Sequence, residues 1–180
     1  MDIIFNMDKN IILWFYKNFY NNEFILKFFS FITHLGDAGF IWIIIAIALL
    51  LKNNTRKKGA IMLLSLFVGA IIGNVILKNI FQRERPFLAL NLQPFIDAPS
   101  SFSFPSGHSL ASFVGATCIF YINKKWGILA YILAFLIALS RVVLTVHYPT
   151  DVITGAILGF VVASVIILIA KKYDRIKTNN

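Results

Sequence analysis

Five apolar runs, near residues 38–51, 58–80, 108–122, 126–144 and 152–170, leave this chain few ways to fold. A spanning α-helix needs about 20 mostly apolar residues, because in hydrocarbon every backbone N–H and C=O must find its partner within the segment. The first and third runs are short, and neighbouring residues extend both. With 58% hydrophobic and 14% charged residues and a mean hydropathy of +0.77, the chain is far from the balance of a soluble domain. The expected fold is all-α: a polytopic transmembrane helix bundle of five spans, or six if the N-terminal segment also inserts.

Before the first run, "NIILWFYKNFYNNEFILKFFSFITHLGDAG" mixes aromatic and apolar residues with Lys17, Glu23 and Lys27. This composition predicts two amphipathic helices at the membrane interface, one inserted helix being the alternative. "THLGDAG" reads as a turn into the first span, with His34 and Asp37 expected to serve structure or the interface rather than chemistry. Asp2, Asp8 and Lys9 are followed by no small-residue cleavage site, so the first 35 residues are expected to stay in the mature protein. One domain is expected over 1–180: N-terminal helices to 35, a catalytic bundle at 36–170 and a cytoplasmic tail at 171–180, with "DRIKTNN" weakly ordered. Cys118 lies alone in an apolar run, which excludes a disulfide framework and a cysteine metal cluster. Trp14, Trp42 and Trp126 read as belt or core residues.

The net charge of +9 reports orientation rather than nucleic acid. "KNNTRKK", "NKK" and "KKYDRIK" all fall on one side of a five-span chain, and the positive-inside rule makes that side cytoplasmic. The 81–107 loop and the "VHYPTD" turn therefore meet on the opposite face of a bacterial-type plasma membrane.

Three polar groupings gather on that face. In "KNIFQRERP", Lys78 and Arg85 lie two turns apart on nearly one face of a continuing helix, whereas Arg83 points about 200° from Arg85. Pro86 is expected to end that helix. In "FPSGHSLASF", Ser106 is either a helix cap or an anion grip. Gly107 permits close approach of an oxyanion, and His108 can give a proton to a leaving oxygen. In "SRVVLTVHYPTD", Arg141 ends an apolar helix and must face a protein interior or an anion. His147 precedes Asp151 by four residues, a spacing that lets the carboxylate fix the ring tautomer and leave the other nitrogen as base or nucleophile. Together these groups describe a phosphate pocket with two histidines. Three crowded cations make it a hostile place for a divalent metal, so no metal or cofactor is expected.

These three segments resemble the signature of the type 2 phosphatidic acid phosphatase superfamily of membrane lipid phosphatases. In that pattern Lys, six residues and Arg-Pro are followed by Pro-Ser-Gly-His, then by Ser-Arg, five residues, His, three residues and Asp. Every specified position matches, and the resemblance spans roughly residues 36–170. It implies that His147 attacks phosphorus to give a phosphohistidine, with Asp151 orienting its ring, while His108 protonates the leaving oxygen and then activates water. It further implies that Lys78, Arg85, Ser106, Gly107 and Arg141 hold the phosphoryl oxygens without metal. The family usually has six spans with both termini cytoplasmic; five spans here would leave the N-terminus outside or in the interface.

The short chain looks most like small bacterial members that hydrolyse undecaprenyl diphosphate, with phosphatidylglycerophosphate, phosphatidate and other isoprenoid diphosphates as competing substrates. The expected partners are thus a lipid phosphate or diphosphate and the bilayer, without nucleic acid. The apolar loop "FLALNLQPFIDAPSSFSF" suits a gate on the bilayer surface. A non-catalytic lipid transporter is the alternative from a different class; it would have no need of His147 with Asp151.

Overall fold

Every apolar run is helical in the computed structural model, which describes residues 2–179, with side chains from 3 to 177. The expected limits at residues 1 and 180 fall outside the described residues. Nine α-helices form among them: α1 Asp2–Phe19, α2 Glu23–Leu35, α3 Phe40–Leu51, α4 Arg56–Ala70, α5 Lys78–Phe81, α6 Pro86–Ala89, α7 Gly107–Ile122, α8 Lys124–Val143 and α9 Pro149–Asn179. Four helical stretches, Glu23–Leu51, Arg56–Ala89, Lys124–Val143 and Pro149–Lys177, are long and apolar enough to cross a membrane, and α7 is a shorter apolar helix. These five elements correspond to the five runs in the sequence.

α7 occupies the centre, packed against α4, α8 and α9. Protein surrounds it, so it tolerates Ser109, Ser112 and Thr117 at buried positions provided each hydroxyl is satisfied. Ser112 accepts a hydrogen bond from the indole of the fully buried Trp42 at 3.1 Å, and Thr117 donates to the Phe113 carbonyl. The N-terminal end of α7 lies almost in backbone contact with α9, because Gly155 and Gly159 present no side chain there. A Cβ on Gly155 would stand 2.5 Å from the Ser106 carbonyl oxygen. This close approach brings the PSGH segment beside the start of α9.

The N-terminal helices are more than an interfacial ornament. α1 is amphipathic, with Ile12 and Asp8 buried and Ile3, Ile4, Phe5, Met7 and Trp14 exposed. α2 packs along α8 and passes into α3 through a tight turn in which Ala38 and Gly39 both take positive φ, 50° and 72°. Trp42 is core, while Trp14 and Trp126 are exposed as belt residues would be.

Two local expectations need correction. The helix carrying Lys78 does not continue to Arg85: it stops at Phe81, where Gln82 takes a left-handed φ of 44°, and Pro86 opens α6 instead of ending α5. A π-helical stretch, Ile71–Leu77, precedes Lys78 and changes the direction in which its side chain leaves the helix. The segment 174–179 continues α9, and Asp174 pairs with Lys57 across the bundle. Lys171 lies over the Tyr121 ring at 4.6 Å, so the ends of α7 and α9 and the α3–α4 turn meet at one end of the molecule. The three polar groupings lie at the other.

Candidate active site

The site grows from two helix starts. Ser106 caps α7, its hydroxyl accepting from the Ser109 N–H at 3.3 Å and from the Ser109 hydroxyl at 3.0 Å, while its own N–H donates to the Asp151 carbonyl at 3.0 Å. Ser106 is fully buried, so of its two sequence readings the structure displays the cap. Gly107 opens toward a cavity of about 1300 Å³, and a Cβ there would strike the Asn74 amide oxygen at 2.7 Å. Pro149 begins α9, its fixed φ suiting the first helical position. Asp151, two residues later, accepts from the Tyr148 N–H at 2.9 Å, as an acidic residue in a capping box does.

His147 sits in the turn before α9 and is buried. Arg85 Nη1 lies 3.1 Å from its Nε2, and a guanidinium can only donate, so Nε2 carries the lone pair and Nδ1 the proton. Nδ1 is 3.6 Å from Asp151 Oδ2, too far for the direct hydrogen bond that the spacing suggested. The buried Ser103 fills the interval: its hydroxyl is 3.4 Å from Nδ1 and donates to Asp151 Oδ2 at 2.5 Å. Burial, together with the charges of Arg85, Arg141 and Lys78, holds His147 well below its ordinary pKa of 6.5. The ring is thus a neutral imidazole with an available nucleophilic nitrogen.

Lys78, Arg85 and Arg141 are all buried beside the cavity. Lys78 and Arg85 converge despite the broken helix, because both grip the loop before α7. Lys78 Nζ donates to the Phe102 carbonyl at 2.7 Å and the Ser101 hydroxyl at 3.2 Å; Arg85 donates to the Ser101 carbonyl at 2.7 Å and the Val146 carbonyl at 2.8 Å. Arg141 donates to the buried Thr33 hydroxyl at 2.5 Å, and its buried Nε has no partner among the described residues. A buried guanidinium N–H without an acceptor beside a cavity is a place for an anion. His108 is partly buried, also lines the cavity, and meets Asp37.

Sequence reasoning missed four contributors. Arg83, which a helical wheel pointed away from the site, clamps two carboxylates at once: Nη1 to Asp151 at 2.6 Å and Nη2 to Asp8 at 2.7 Å. Its guanidinium also lies 4.0 Å above the Tyr148 ring. Asp8 in α1 accepts from the Thr150 N–H at 3.1 Å and from the Thr150 hydroxyl. An acid on an otherwise apolar face of α1 was the available signal, obscured by Asn6, Lys9 and Asn10 around it. Ser103 and Thr33 gave none, because a lone hydroxyl in an aromatic loop or an apolar helix is common.

Comparisons with known proteins identify the family and the fold. A profile of the PAP2 superfamily matches residues 58–175. The chain belongs to the PAP2 superfamily. An undecaprenyl-diphosphatase of Sulfolobus acidocaldarius is 36% identical over 122 residues, covering 67% of this chain and 59% of that protein. A phosphatidylglycerophosphatase B of Bacillus subtilis is 34% identical over 146 residues, covering 71% of this chain and 66% of that protein. The crystal structure of a transmembrane PAP2-type phosphatidylglycerolphosphate phosphatase from B. subtilis superposes with a TM-score of 0.79 at 28% identity, over 96% of this chain and 88% of that one. All three sequence motifs lie within the PAP2 match, whereas Asp8, Thr33 and Asp37 lie before it.

Proposed function

We propose that this PAP2 protein is an integral-membrane lipid phosphatase that hydrolyses undecaprenyl diphosphate, or a related polyprenyl diphosphate, to the monophosphate and inorganic phosphate. The observation that carries the reading is the buried His147, whose Nε2 lies 3.1 Å from the Arg85 guanidinium beside a cavity lined by three cations. In the first step His147 Nε2 bonds to the terminal phosphorus, the bridging P–O bond breaks, and His108 gives its proton to the departing oxygen. In the second, His108 takes a proton from water as that water attacks the phosphohistidine; the P–N bond breaks and phosphate leaves. Asp151 acts on His147 through Ser103 and stabilises the positive ring. Lys78, Arg85, Arg141 and the N–H groups at Gly107 and His108 offset charge on the equatorial oxygens, a task that requires no metal. Ser106 contributes by capping the helix that presents those groups.

The positive-inside rule places the Lys-rich end of the bundle in the cytoplasm and this site on the extracytoplasmic face. Residues 1–180 form one membrane phosphatase domain, in which the N-terminal helices belong to the working site. The large cavity is also lined by Ile43, Leu63, Leu66 and Phe67, apolar residues that suit the first part of a lipid tail. A glycerophospholipid phosphate is the second reading, favoured by the B. subtilis relatives.

The test is phosphate release by the detergent-purified chain, with chelator present, from undecaprenyl diphosphate, phosphatidylglycerophosphate and phosphatidate side by side. Preference for the polyprenyl diphosphate, lost in His147→Ala, supports the proposal. Preference for a glycerophospholipid keeps the chemistry and changes the substrate. Binding without release from any of the three overturns it in favour of a transporter.

A further inference from the structure

Asp37 has no place in the motifs that carry the reaction, yet it meets one of the two histidines. Its Oδ1 lies 2.9 Å from His108 Nε2, a contact between residues 71 positions apart in sequence. Its Oδ2 lies 3.1 Å from His34 Nδ1. The turn that delivers it is tightly specified: Gly36 donates to the Thr33 carbonyl at 2.9 Å, Gly39 donates to the Gly36 carbonyl at 3.0 Å, and Ala38 and Gly39 both lie in the left-handed region. Ala38 there is disfavoured by about 1 kcal/mol, so packing must maintain the turn. That packing is against His108 itself, since a Cβ on Gly36 would stand 2.9 Å from His108 Cδ2 and 2.7 Å from Ile137 Cγ2. The Cδ2–Nε2 edge of the imidazole therefore faces the α2–α3 turn. Nδ1, which makes no hydrogen bond to a described residue, lies on the opposite edge of the ring.

We propose that Asp37 is a positioning residue for His108, holding Nε2–H so that Nδ1 alone exchanges protons with the substrate. This rests on the phosphatase reading above. When His108 is an imidazolium, the carboxylate steadies its charge and Nδ1–H is aimed at the leaving oxygen. Once that proton has gone, Asp37 still accepts from Nε2–H, which fixes the tautomer with the lone pair on Nδ1. The same nitrogen then takes the proton of the attacking water, and the ring returns to its starting state. Without Asp37 the neutral ring can place its remaining proton on either nitrogen, and the second step loses part of its base. Arg141 and Arg85 line the same cavity, and Asp37 sets a carboxylate at the opposite edge of the ring.

The test compares Asp37→Asn and Asp37→Glu in the full chain, with His147→Ala as control and the best of the three lipids as substrate. Asp37→Asn is expected to lower kcat about 10- to 100-fold, the lower part of the range for a general acid–base group, with KM and melting temperature unchanged. Asp37→Glu is expected to restore part of the loss. Wild-type kcat in Asp37→Asn overturns the inference, as does a loss accompanied by a lower melting temperature and no recovery in Asp37→Glu. If the wild-type chain releases no phosphate from any lipid, the phosphatase reading fails and this inference falls with it. If the wild type and His147→Ala behave as proposed while Asp37→Asn is silent, only this inference fails.

Discussion

The two histidines of the site each face a carboxylate, but the two pairs are built in opposite ways. His147 and Asp151 come from one turn of chain, are both buried, and communicate through Ser103. His108 and Asp37 come from distant parts of the sequence, touch directly at 2.9 Å, and the side chain of Asp37 is half exposed to the cavity. The difference matches the chemistry proposed for each. A nucleophile that must bond to phosphorus gains from a dry, rigid seat, and Asp151 is fixed by three donors, from Tyr148, Ser103 and Arg83. A proton carrier must meet both a departing oxygen and an arriving water, so it sits where the cavity opens.

The comparison can be broken most sharply at the buried pair. His147→Ala is expected to lower phosphate release by at least about a thousand-fold, since an attacking group that forms the intermediate has no substitute. Retained turnover would mean that water attacks phosphorus directly. Asp151→Asn comes next, with kcat falling about 100- to 10,000-fold by analogy with other buried carboxylates that orient a catalytic imidazole. Because it also removes one of the two carboxylates that Arg83 clamps, its melting temperature should drop, whereas that of Asp37→Asn should not. Ser103→Ala should cost about tenfold in kcat, the worth of one modest hydrogen bond; a loss as large as that of Asp151→Asn would make the hydroxyl the main orienting group.

A smaller effect concerns pH. Burial and three cations depress the His147 pKa below 6.5, so its neutral form predominates at neutral pH, and protonation removes the nucleophile only under more acidic conditions. The acid limb of kcat/KM assigned to His147 should therefore lie below pH 6.5, and a limb above that value would show the ring to be less buried than it is here. Smallest in activity but measurable in stability is Asp8→Asn. It leaves the Arg83–Asp151 pair intact and should lower stability by about 1–3 kcal/mol through the weakened contacts to Arg83 and Thr150.

The fold was largely legible because apolar length is a strong signal: each of the five runs became a helix. The convergence of Lys78, Arg85, Gly107, His108, Arg141 and His147 on one cavity was also legible, since turns between spans can meet only at one end or the other. What failed was local continuity. A helical wheel through Arg83 and Arg85 assumed a helix that ends at Phe81, and so excluded the residue that bridges Asp8 and Asp151. Likewise, along the sequence His34 and Asp37 read as structural or interfacial residues, because nothing there announces a partner 71 positions away. Thr33 was hidden for the same reason, its partner Arg141 lying 108 positions further on. Hydrogen bonds of that range follow from packing, which a pass along the sequence does not see.

The bonds of Asp8 carry a consequence for how the protein is made. Its partners are Arg83, 75 residues later, and Thr150, 142 residues later. Both partners follow Asp8 in synthesis, so its full set of bonds can form only after the start of α9 has been made, and the contact of α1 with the site is among the last the growing chain can complete.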